Sequence, residues 1–145
     1  MNYVEVTGGK PYQRKRVEQV VNFCIKKLMP RMQTLDIKVV LKDLKDDAYG
    51  YCLSETTREF ELEIHKKLPL RKLLTTVAHE MVHVKQYARK ELKQDYDWLG
   101  KTYSPKKVSY WDQPWEIEAH GRETGLFVRW AEANELGNKK WTQDS

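Results

Sequence analysis

With 145 residues, 40% hydrophobic and 11% aromatic, the chain is long enough for one hydrophobic core and too apolar for a disordered segment. Its mean hydropathy of −0.78, with no apolar run near the ~18 residues of a membrane span, excludes a transmembrane helix. The net charge of +5 comes from lysine pairs scattered along the chain, so it marks out no nucleic-acid-binding patch.

The start, Met1-Asn-Tyr-Val-Glu-Val, has no basic segment followed by an apolar run, and a cytoplasmic protein is expected. From Tyr12 to Met29, the apolar residues Val17, Val20, Val21, Cys24, Ile25 and Leu28 recur at three- and four-residue steps, which predicts a helix stopped by Pro30. Leu35, Ile37, Val39 and Leu41 alternate with mostly polar neighbours, as in a half-buried strand. Tyr49–Leu53 and Phe60–Ile64 predict two more strands, joined as a hairpin across Ser54–Thr57. A helix follows over about 69–90, then an ordered loop over 92–112 rich in Gly, Lys, Tyr and Trp. A last helix is expected from Pro114 to about Asn134, ending before Gly137. The polar tail 138–145 is expected to fray. One α+β domain over 1–137 follows, with an N-terminal helix and a small three- to four-stranded mixed sheet. The two cysteines, Cys24 and Cys52, are too few for a zinc ribbon and read as buried thiols.

His79-Glu80-Met81-Val82-His83 carries the chemistry. Residues four apart on a helix share a face, so both imidazoles can reach one ion, while Glu80 can act as base toward a metal-bound water. At ~100° per residue, Lys72, Thr75, Thr76, His79, His83 and Gln86 form a polar stripe, and Leu70, Leu73, Leu74, Val77, Met81, Val84 and Ala88 form a separate apolar face. Histidines that only filled the core would sit among the leucines.

A catalytic zinc site takes three protein ligands and leaves its fourth position to water. Glu116, His120, Glu123, Phe127 and Trp130 share the inward face of the last helix, whereas Glu118 turns outward with Arg122. Either Glu116 or His120 can complete the site. His120 can equally orient another ligand through a hydrogen bond.

His79-Glu80-x-x-His83, followed 33 residues later by Glu116-x-x-Ala119, resembles the gluzincin metallopeptidases. The short chain is similar to minimal gluzincins and to SprT-like, often phage-encoded metallopeptidases. The segments Trp98-Leu99-Gly100-Lys101 and Tyr110-Trp111-x-x-Pro114-Trp115-Glu116-Ile117-Glu118-Ala119 are similar to the phage group in particular. This likeness covers residues 70–125. It implies a zincin-like fold, Zn²⁺ held by His79, His83 and Glu116, catalysis by Glu80, a peptide or protein substrate bound on a strand edge, and, for a phage protein, the host cytoplasm. The chain departs from SprT proper, which uses a third His, and it lacks the Cys-rich ribbon of larger relatives. The family's oxyanion-stabilising residue has no clear match among Tyr103, Tyr110 and Arg122. Three rival readings are a metal-containing accessory protein without proteolysis, a basic nucleic-acid-binding protein, and a zinc hydrolase acting on something other than a peptide.

Overall fold

Alternation in the sequence becomes a sheet with one buried face. In the computed structural model, which describes residues 1–143, strand β2 (Asp36–Lys42) buries Ile37, Val39 and Leu41. Strand β4 (Glu59–His65) buries Phe60, Leu62 and Ile64. The two run parallel, with Ile37 beside Phe60 and Val39 beside Leu62, so their apolar side chains form one surface. Strand β3 (Gly50–Ser54) pairs antiparallel with β4 through the expected hairpin and forms one border of the sheet.

The opposite border is a strand absent from the sequence expectations. Residues Tyr3–Gly8 form β1, parallel to β2, with Val4 and Val6 packed on the core. Two valines are too few to announce a strand without the neighbour that recruits them. The strand ends where Gly8 takes φ +79, because a Cβ there would meet the Leu41 carbonyl oxygen at 2.1 Å. The resulting order β1-β2-β4-β3 makes a four-stranded mixed sheet.

Helix α1 (Pro11–Leu28) covers the sheet with Val17, Val20, Val21 and Cys24, and burial pushes the Cys24 thiol up to about 12. Helix α2 (Leu70–Ala88) packs beside α1 on the same face. A third helix, α3 (Pro114–Ala133), lies along α2 and closes the core with Ala119, Phe127, Trp130 and Ala131. With the sheet beneath it and helices on its flanks, α2 has fifteen of its nineteen residues buried, its polar stripe included except for the half-buried Lys72.

The described residues thus form an α+β domain of four helices and a small mixed sheet, and residues 140–143 differ from the expectation. Residues Lys140–Gln143 form a short helix, α4, instead of a frayed tail. Trp141 packs 6.3 Å from both the Phe127 and Trp130 rings, and Arg71 donates to the Thr142 carbonyl at 2.8 Å. The last two residues of the expected tail, 144 and 145, lie outside the described residues. Among those described, no helix is long and apolar enough to cross a membrane.

Candidate metal centre

His79 and His83 stand one turn apart on α2, and Glu116 stands in the first turn of α3, where the helix dipole favours a carboxylate. Packing α3 on α2 brings the three together. Glu116 Oε1 lies 3.1 Å from His79 Nε2 and 3.3 Å from His83 Nε2. The three side chains are 9–14% exposed, on the floor of a cleft of about 790 Å³.

Hydrogen bonds behind the rings fix where the Nε2 atoms point. Gln86, fully buried, donates its amide N–H groups to the Trp115 carbonyl (2.9 Å) and to Glu118 Oε1 (3.0 Å). Its oxygen must then accept from His83 Nδ1–H, 2.8 Å away. His79 Nδ1–H donates to Glu123 Oε1 at 3.0 Å in the same way. Both Nε2 atoms are therefore free to turn toward one point with Glu116, the orientation in which imidazole ligates a metal.

His120 is placed differently. Its Nδ1 meets Glu123 at 2.8 Å and its Nε2 meets the Tyr110 hydroxyl at 2.9 Å, so neither nitrogen faces His83 or Glu116. The Tyr110 hydroxyl also donates to Glu116 Oε1 at 3.0 Å, which closes a ring of contacts Glu116–Tyr110–His120–Glu123–His79. His79, His120 and Glu123 also lie close enough to group about an ion, but their Nδ1–H groups are already donated to Glu123.

Glu80 is 6% exposed. The ring nitrogens of both histidines are committed elsewhere, so its carboxylate is bonded to neither. Burial raises its pKa and the two histidines oppose that rise. Burial likewise works against the His79 imidazolium, yet the bonds to Glu116 and Glu123 outweigh it and lift His79 to about 9. His83 is raised too, through Glu116. Burial pushes Glu116 up, but the two imidazoliums dominate and hold it well below the usual carboxylate range.

These shifts predict a pH dependence for metal-free protein. A group raised from 6.5 to about 9 stabilises the fold fully below pH 6.5, and that contribution is lost as pH climbs through 9. Thermal melts in chelator are expected to show Tm falling between pH 6.5 and 9. Protein given a divalent metal should resist the fall, because ions displace the same protons. A metal-free Tm that is level or rising over this window contradicts the ion-pair geometry.

Several sequence expectations change at this site. Glu118, expected outward, keeps its bond to Arg122 (3.0 Å) but also accepts from Lys85 (2.6 Å) and Gln86, tying α3 to α2. The cause is that the crevice between two packed helices admits side chains from the edge of a wheel as well as its centre. Cys52 is only partly buried: it packs against the core and also lines the cleft. The 92–112 segment contains a small hairpin of β5 (Asp97–Trp98) and β6 (Lys101–Thr102), then a 3₁₀ turn at Tyr110–Asp112. Of the aromatics in this segment, Tyr110 and Trp111 line the cleft, while Tyr103 packs edge-on against Trp115.

The other wall is β3. Tyr49 accepts from His65 and Glu55 donates to Glu59, both at 2.9 Å, so alternate residues from 49 to 55 bond to β4. Gly50, Cys52 and Ser54 therefore turn their backbone N–H and C=O groups to the free edge, and the first two line the cleft. Comparison of this chain with protein-family models, curated proteins and solved structures finds no match.

Proposed function

We propose that this chain is a zinc-dependent metallopeptidase of the gluzincin type with a zincin-like fold. The observation that carries the reading is the convergence of two imidazole Nε2 atoms and one carboxylate on the cleft floor, with Glu80 buried and unpaired from the histidines beside them. Two imidazoles and a carboxylate suit zinc or iron(II) better than calcium or magnesium, which take all-oxygen sites. A free carboxylate next to the ligands favours hydrolysis and hence zinc.

His79, His83 and Glu116 would hold the zinc, which would supply Lewis acidity to make water a nucleophile near neutral pH and to polarise a carbonyl. Glu80 takes the attacking water's proton and passes it to the departing amine. The Tyr110 hydroxyl, at the rim beside Glu116, can donate to charge developing on the carbonyl oxygen. His120 and Glu123 position it and His79, rather than binding the metal. Substrate backbone pairs with the outward groups of Gly50 and Cys52, which extends the sheet by one strand.

The test is metal content with activity. Purified wild type should hold about one zinc per chain and cleave members of a mixed peptide library, with loss of both on chelation and recovery on adding zinc. Iron in place of zinc, or stoichiometric zinc with no cleavage of any peptide, would overturn the peptidase reading.

A further inference from the structure

The cleft has two chemically different ends. Beyond His83 it is bounded by Tyr87, Leu92, Tyr96 and Trp115, an apolar group. Before His79 it is bounded by Thr76, Tyr49 and Lys72. Lys72 stands in the first turn of α2, which holds no acidic residue, so its charge adds to the positive end of the helix dipole. Its neighbour Arg71 is occupied, bonded to the Thr142 carbonyl and lying 5.5 Å from the Phe127 ring centre. Lys72 rests 4.8 Å from the Tyr49 ring centre and pairs with no carboxylate among the described residues. Asp47 lies on the same rim, exposed and likewise unpaired with Lys72, while Glu116 and Glu123 are held by histidines. A half-buried cation against an aromatic wall of the cleft, in a place that the helix itself disfavours, is placed to meet an anion brought by a ligand.

The position of that anion follows from the strand register. Gly50 abuts α2 at Thr76, one turn after Lys72, since a Cβ on Gly50 would meet Thr76 Cγ2 at 3.0 Å. A peptide paired on the outward groups of Gly50 and Cys52 therefore passes Tyr49 and Lys72 at one end. Seven residues of helix separate Lys72 from His79, about 10 Å at ~1.5 Å per residue. An extended peptide covers that span in about three residues at ~3.3 Å each. Resting on the peptidase reading, we propose that Lys72 selects peptides with a carboxylate about three residues from the scissile bond on one side only, supplied by an acidic side chain or by the chain terminus.

The experiment compares zinc-loaded wild type, Lys72→Met and Lys72→Glu on one parent peptide. The peptide carries Glu, Gln or Lys at each of the four positions on either side of the cleaved bond, ends in a free acid or an amide, and has its cleavage sites read by mass spectrometry. Wild type should favour Glu over Lys on one side by about fivefold in kcat/KM, the size of one partly exposed ion pair. Lys72→Met should abolish this preference and Lys72→Glu should reverse it, with zinc content and melting temperature as in wild type. A preference that follows the free acid rather than the internal Glu identifies the chain terminus as the anion. Cleavage by wild type without charge preference, or the same preference kept in Lys72→Glu, overturns the role of Lys72 and leaves the peptidase reading standing. No cleavage of any peptide by zinc-loaded wild type overturns both.

Discussion

Zinc-loaded Glu80→Gln is expected to lose about 10²–10⁴-fold in kcat/KM for peptide cleavage, the range contributed by a positioned general base, while holding as much zinc as wild type. The two readouts separate because Glu80 stands apart from the bonds that orient the ligands. His79 is held by Glu123 and Glu116, and His83 by Gln86 and Glu116. Glutamine has nearly the shape of glutamate, so the 6%-exposed side chain can stay in its packing while losing its affinity for a proton. Burial already disfavours the Glu80 charge, so the amide should leave the metal-free fold as stable as before or slightly more so. KM should move little, since the carboxylate acts on the water and not on the peptide's flanking residues. Full activity in Glu80→Gln would show that another group takes the proton and would remove the reason for assigning Glu80 to the chemistry.

The parts of this site that are legible in the sequence are those with a local period. The 3.6-residue repeat separates the polar stripe of α2 from its leucine face, and the i, i+4 spacing pairs His79 with His83. The same period sets Glu116, His120 and Glu123 on one face of α3 but cannot assign their roles. All three reach the site region, and only contacts made across helices distinguish Glu116, which meets both Nε2 atoms, from His120, which meets neither. Gln86 follows His83 by three residues, a spacing that puts an amide within reach of the ring. Its meaning depends on the Trp115 carbonyl, twenty-nine residues further along the chain. Tyr110 had no signal of its own in an aromatic loop, because the 3₁₀ turn that carries it to Glu116 has no hydrophobic repeat. Strand β1 shows the same limit in the fold: its place beside β2 is fixed by pairing and not by its own pattern.

Glu116→Ala is expected to weaken zinc binding on the order of 10³-fold, if ~10–16 kcal/mol of binding is shared among the three protein ligands. His120→Ala should weaken it only about 10–100-fold, the range for groups that orient ligands without touching the metal. Titration against a chelator of known affinity measures both. The difference follows from the direction of the ring nitrogens, since His120 reaches the site only through Glu123 and Tyr110. Glu123→Gln should therefore fall with His120→Ala and not with Glu116→Ala: it keeps an oxygen for His79 Nδ1–H but loses the charge that the two histidines share. Losing Tyr110's other hydrogen-bond partner should also make His120→Ala cost more in catalysis than in zinc affinity, which a merely structural histidine would not do. The reverse order, zinc retained in Glu116→Ala and lost in His120→Ala, would move the third ligand one turn along α3. His79 would then have to present Nδ1 rather than Nε2 to the metal, and the ring of contacts through Tyr110 would have to open to let it do so.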